Sequence, residues 1–162
     1  MSRAEPSTSL SAKLKKIFYR FAHFPPQAAY ALGLGPKMGR MILLLATTGR
    51  KSGKRRVTPL QYEEVDGKII VMAAYGLKAD WVKNIQANPC VDVQVKEHHF
   101  SGQALLITDA EKMADMLELR LQRHPRMIGA ILRSDGVPAN PSRQDLVDYA
   151  NGLAMVELMP EA

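Results

Sequence analysis

"MILLLATTGRKSGKRRVTPLQYEEVDGKIIVMAAYG", residues 41–76, decides the fold. It opens with "MILLLATT", an apolar run of the kind found in strands buried on both faces. "RRVTPLQYEEV" (55–65) reads as a second strand and "KIIVMAAYG" (68–76) as a third, ending in small residues. Between them stands Asp66-Gly67, a strong signal for a two-residue hairpin, because a type I′ turn needs φ > 0 at both positions. The segment is therefore predicted to be an antiparallel meander. Its other turn is unusual: Gly49 and Gly53 frame Arg50, Lys51, Ser52, and Lys54, Arg55 and Arg56 follow.

Outward toward the C-terminus, "ADWVKNIQANP" (79–89) predicts a short helix with Trp81, Val82 and Ile85 apolar and Pro89 ending it. "VDVQVK" (91–96) alternates strictly, which predicts a strand with Val91, Val93 and Val95 facing inward. "EHH" (97–99) is expected to turn, and "FSGQALLI" (100–107) to return as the next strand. A helix follows to about Arg123, with Thr108 and Glu111 as its capping box. "NPSRQDLVDYA" (140–150) predicts another helix, with Ser142 near its start, and "LAMVELM" (153–159) a last strand.

Toward the N-terminus, Leu10, Leu14, Ile17, Phe18 and Phe21 share one face of a predicted helix over 10–24, with Lys13, Lys15, Lys16 and Arg20 on the other. Pro25 and Pro26 stop it. Residues 1–9 are small and polar and expected to be disordered. Six strands in hairpins are too few for a sandwich with helical faces. The predicted class is α+β, mainly β: a six-stranded antiparallel barrel, partly open, with flanking helices. The expected organisation is a tail (1–9), a basic helix and connection (10–40) and a barrel domain (41–162).

The net charge of +6 is unevenly spread. Residues 1–56 hold 12 Lys/Arg against Glu5 alone, or +11, and the rest hold 10 Lys/Arg against 15 acids, or −5. Such a region calls for an anionic partner. Nucleic acid is disfavoured, because residues 46–60 offer no aromatic side chain for base stacking and no binding motif is present. The single cysteine, Cys90, excludes an internal disulfide and is expected as a buried thiol in a reducing compartment. Adjacent His98 and His99 point apart in a strand or turn, so no metal site is expected. No secretory signal is visible and the longest apolar run is far too short for a bilayer span, so the expected location is cytoplasmic. The basic helix leaves two readings open: packing on the barrel, or peripheral contact with the inner face of the plasma membrane through residues 10–24.

The charged turn has its own chemistry. Its glycines permit left-handed backbone and close approach of a ligand, and successive N–H groups in such a turn form an anion nest. Lys51 offers a mobile point charge, and Arg56 a planar fork on a strand. Pro59 marks a sheet edge or a bulge. The order of residues is not that of a P-loop. Taken alone, a solvated turn is an equal reading.

Three blocks in register, "TTGRKSGKRRVTPL", "DGKIIVMAAYG" and "DWVKNIQANPCVDVQVK", resemble the deazaflavin-dependent nitroreductase family over about residues 40–107. The resemblance implies a split β-barrel and an oxidoreductase that passes a hydride from reduced coenzyme F-420 to a quinone, enone or nitro compound. FMN is the less favoured cofactor. It also implies that Lys51 and Arg56 meet the cofactor phosphate, with Ser52 in the same cofactor-binding turn, and that Arg50, Lys54 and the N-terminal lysines screen its glutamate tail. Val57, Thr58, Pro59 and Leu60 are expected along the ring and its chain, Ala73, Ala74, Tyr75 and Gly76 on the opposite wall, and Trp81 and Asn84 near the phosphate. Tyr75 is the candidate catalytic hydroxyl, by position. Related barrels often pair, so a homodimer is compatible. The alternative function is a carrier that binds a fatty acid or another flavin-like ligand in the same barrel.

Overall fold

The computed structural model describes residues 42–162. The expectations for residues 1–9, for the basic helix over 10–24 and its membrane contact, and for the connection to residue 40 lie outside the described residues. Six strands form: β1 (Ile42–Thr48), β2 (Arg55–Val65), β3 (Lys68–Ala73), β4 (Cys90–Val95), β5 (His98–Ile107) and β6 (Ala154–Pro160). Helix α1 (Asp80–Ala87) lies between β3 and β4, and α2 (Ala110–Arg123), α3 (Pro125–Ser134) and α4 (Arg143–Ala150) lie between β5 and β6. Two compact units result, residues 42–109 with 152–162, and residues 110–151.

The first unit is a closed barrel in the order β1-β2-β3-β6-β5-β4, every pairing antiparallel. Alternation builds its core. Leu43 and Leu45, Leu60 and Tyr62, Val71 and Ala73, Val91, Val93 and Val95, and Ala154, Val156 and Leu158 all point inward and are buried. A one-residue slip in any strand would turn such a set to solvent, so the register is strongly specified. β1 is less two-faced than its composition suggests: Leu43, Leu45 and Thr47 are buried, while Ile42, Leu44 and Thr48 on the outer face are only half-buried. Helix α1 adds Trp81, Val82 and Ile85 to the same core, as its helical spacing requires.

The hairpin at Asp66-Gly67 forms as expected, with φ of 51° and 76°. The β4–β5 turn does not fall at "EHH". Val95 pairs with His98 and Gln94 with His99, so both histidines are strand residues and the turn is Lys96-Glu97, with Lys96 at φ 55°. Neither turn residue is a glycine or asparagine, so the usual sequence signal for a positive φ is missing. The third strand ends at Ala73, three residues early. Ala74 and Tyr75 turn, and Gly76–Lys78 makes one 3₁₀ turn, entered through Gly76 at φ 54°.

In the second unit, α2 packs on α3 and α4. Arg143 at the start of α4 reaches three carboxylates spaced one turn apart on α2: Glu111 and Asp115 at 2.8 Å and Glu118 at 3.0 Å. Ser142 caps α4 in a reciprocal box with Asp145. Helix α3 was not anticipated from the sequence, where His124-Pro125 reads as a stop. His124 does close α2, its N–H donating to Arg120 O at 2.8 Å, but Pro125 then begins α3, where a missing N–H costs nothing. Among the described residues, no helix is long and apolar enough to cross a membrane, and no group of three His, Cys, Asp or Glu side chains is placed to hold a metal.

Candidate active site

Strands β2 and β3 pair only over Tyr62–Val65 and Lys68–Val71. The first half of β2, Arg55–Gln61, is paired on its β1 side alone, and Met72 and Ala73 of β3 pair with β6 alone. The barrel is thus split locally where these strands part. Antiparallel order places three segments at that end: the basic hairpin 49–54, the turn 74–78 after β3, and α1, whose Trp81, Val82 and Ile85 enter the core there. Pro59 stands on the unpaired stretch of β2, where a residue without an N–H is tolerated.

The pleat sorts the four residues after Arg56. Leu60 is buried in the core and Thr58 shares its inner face, opposite Leu45. Val57 and Pro59 occupy the outer face, half-buried. Successive strand residues point to opposite faces, so the four present their side chains on two sides of β2. Across the split, Ala73 is buried, Ala74 is exposed and Tyr75 is 45% exposed. Gly76 is buried, and its backbone lies against that of Gly152.

The hairpin itself is tight. Gly49 N–H donates to Lys54 O and Gly53 N–H to Gly49 O, both at 2.8 Å, and Ser52 Oγ accepts from Lys54 N–H at 3.3 Å. Gly53 takes φ 66°, which a side chain would resist. Its cations divide. Arg50 donates to Asn84 and Asp80, and Arg55 stands 4.0 Å from Asp92. Among the described residues, Lys51, Lys54 and Arg56 have no side-chain hydrogen bond or ion pair, and all three are exposed.

Trp81 is 9% exposed and belongs to the barrel core, and Asn84 is 5% exposed. Neither presents much surface to a ligand. Cys90, expected to be buried, is exposed, with Sγ accepting from Gln103 Nε2 at 3.4 Å. It opens β4 on the outward face of the alternation that buries Val91, Val93 and Val95. It lines a cleft of about 290 Å³ with Thr48, Arg55, Asp92, Ser101 and Glu161. There Asp92 accepts from Ser101 Oγ at 2.6 Å and faces Arg55, so the cleft has no excess of positive charge. The unpaired cations lie at the split instead.

Fold and site together define a split-barrel protein with an anion-receptive rim. Residues 28–126, more than half of the chain, match the family model of F-420H(2)-dependent quinone reductase, and the chain belongs to that family. It is accordingly an oxidoreductase that uses coenzyme F-420, and the carrier reading is not favoured. Three solved structures share the fold. An F-420-H2 dependent reductase (FDR-A) is 24% identical with TM-score 0.51, covering 74% of this chain and 95% of that one. A conserved hypothetical protein of Mycobacterium tuberculosis is 17% identical with TM-score 0.52, covering 81% and 80%. The heme storage protein HutZ of Vibrio cholerae is 18% identical with TM-score 0.52, covering 78% and 87%. At these identities the likeness is one of fold, and the fold carries more than one function.

The residues present fit the coenzyme. An anionic phosphate and tail need unpaired cations, which Lys51, Lys54 and Arg56 would supply, and a flat ring needs a wall of little bulk, to which the exposed Ala74 would contribute.

Proposed function

We propose that the split between β2 and β3 is where a reduced deazaflavin meets a quinone-class acceptor. The single observation that carries this placement is the set of unpaired cations, Lys51, Lys54 and Arg56, at the one end of the barrel where β2 loses its second neighbour. Lys51 and Arg56 would hold the phosphate, Arg56 through its fork and Lys51 as a point charge, with Lys54 toward the glutamate tail. Thr58, on the same face of β2 as Arg56, would give one wall, and Ala74 and Tyr75 the other. When bound, the coenzyme supplies a hydride from its C5. The protein's part is to orient the acceptor, exclude water and help the proton follow. Tyr75 is the group on this wall with a titratable hydroxyl. Donating it to the acceptor's carbonyl oxygen would stabilise the charge that develops there, and solvent would restore the proton.

A titration tests the reading. The chain has one tryptophan, Trp81, at this end of the barrel. Adding F-420 is expected to quench it saturably, and FMN to do so less. The reduced coenzyme should be oxidised in a one-to-one ratio with an added benzoquinone or naphthoquinone. No saturable quenching and no quinone-dependent oxidation would overturn the proposal. Saturable uptake of a fatty acid instead would return the carrier reading.

A further inference from the structure

The five cations of residues 50–56 are not equivalent, and Arg50 differs most from the rest. Its backbone N–H and its Nη1 both donate to Asn84 Oδ1, at 3.2 and 3.1 Å, and its Nη2 donates to Asp80 Oδ1 at 3.1 Å. Asn84 is nearly buried, and its Nδ2 donates to Oγ1 of Thr47, 2% exposed, at 3.2 Å. The orientation of the amide follows from its partners. Two donors on Arg50 demand the oxygen, which leaves Nδ2 for the hydroxyl. One amide thus ties together the end of β1, the basic hairpin and α1, across more than thirty residues of chain. Thr47 is also the cross-strand partner of Arg56.

We propose that Asn84 and Arg50 are positioning residues: they lock the basic hairpin onto α1 and do not themselves meet the cofactor's anionic groups. The proposal rests on reading that hairpin as the cofactor's anion site. To turn toward a ligand, Arg50 would have to release two charge-assisted hydrogen bonds, leaving the nearly buried Asn84 oxygen with only the backbone N–H of Arg50. The Asp80 arm is the weaker one, because that carboxylate is 84% exposed. The Asn84 arm carries the lock. Within the hairpin only two backbone hydrogen bonds join residues 49, 53 and 54, so without the lock Lys51 and Lys54 would have to be ordered at the moment of binding. Holding them beforehand lowers that cost. Arg50 and Asn84 therefore act through the neighbouring cations, and the anion site proper is Lys51, Lys54 and Arg56.

Three variants, Arg50→Met, Asn84→Leu and the double variant, decide this, with Lys51→Met and Arg56→Met as references. The dissociation constant for F-420 is measured over a range of salt concentrations. Each single variant is expected to weaken binding about tenfold, the effect of one charged hydrogen bond. The double variant should lose less than the product of the singles, because both break the bond between the Arg50 side chain and Asn84. Plots of log Kd against log salt for Arg50→Met and Asn84→Leu should run parallel to the wild type, while those for Lys51→Met and Arg56→Met should be shallower, since a charge facing the ligand is lost. A shallower slope for Arg50→Met, or a double-variant loss equal to the product of the singles, would place Arg50 on the anion and overturn the proposal. Amide hydrogen exchange of the cofactor-free protein gives an independent readout. Gly49, Arg50 and Gly53 should exchange faster in both single variants, with Val91 and Val93 unchanged, and unaltered hairpin exchange would also overturn the lock. If the wild type took up no F-420, the cofactor reading would fall, while the exchange data would still decide the lock. If Asn84→Leu did not fold, Arg50→Met alone would carry both measurements.

Discussion

Gly76 and Gly152 meet backbone to backbone. A Cβ built on Gly76 would lie 2.7 Å from the Gly152 carbonyl oxygen, and Gly76 itself sits at φ 54°. Two independent costs therefore oppose any side chain there: left-handed strain and a contact with an atom that cannot swing away. Gly76→Ala is expected to lower stability by about 1–3 kcal/mol, combining the strain of a left-handed L-residue with the displacement of Gly152. Urea denaturation measures it. A loss no larger than that of Gly67→Ala, where strain acts in open space, would show that the Gly152 contact is dispensable.

Arg55 and Arg56 are neighbours with opposite directions. Arg55 faces outward beside Asp92, and Arg56 shares the inner face with Thr58. Arg56→Ala should weaken F-420 binding by about 1.5–3 kcal/mol, the range for hydrogen bonds to a charged group. Arg55→Ala should change it by under about 0.5 kcal/mol, as for an exposed side chain away from the site. The comparison is made by titration at one salt concentration.

Thr47 is buried, and its hydroxyl accepts from Asn84. Thr47→Val keeps the shape and removes the acceptor, which leaves Asn84 Nδ2 buried and unpaired. A loss of about 1–3 kcal/mol in denaturant stability is expected. Thr47→Ser, which keeps the hydroxyl, should recover part of it.

Asp145 accepts from the backbone N–H and the hydroxyl of Ser142, at 2.7 and 2.8 Å. These bonds, the backbone one first, hold its carboxyl below its ordinary value of 3.8. Because the folded value lies below the unfolded one, the stabilisation is present above about pH 4 and fades as pH falls through the folded value. Asp145→Ala is therefore expected to lower the urea midpoint of the helical unit at neutral pH. The gap to the wild type should close in strong acid, as followed by circular dichroism.

Much of the barrel could be read directly from the chain. The second strand, Arg55–Val65, and the Asp66-Gly67 turn lie where alternation and φ > 0 chemistry put them, because both signals act within a few residues. The turn at Lys96-Glu97 was misplaced to "EHH" because neither of its residues advertises a left-handed backbone. Helix α3 was missed because a proline reads as a stop, although it serves equally as a first helical residue. Cys90 was expected to be buried by residue type, yet the strand's alternation turns it outward. For the candidate site, the charged hairpin and the small residues that end the third strand were visible as a pattern. The split between β2 and β3 was visible only as Pro59, since a strand does not record where its second neighbour stops.

The sequence alone determined the strand faces, the hairpin positions and the concentration of charge at residues 50–56, because each depends on neighbours within one turn or one pleat. Only the tertiary structure decided which of those charges remain available. Arg50 and Asn84 stand 34 residues apart in the chain, and Arg55 and Asp92 lie on β2 and β4, which flank β1 only when the barrel closes. Closure brings a carboxamide and two carboxylates against two of the five cations and leaves Lys51, Lys54 and Arg56 exposed, with no such partner among the described residues. Electrostatic pairing depends on distance in space, and no local pattern encodes it.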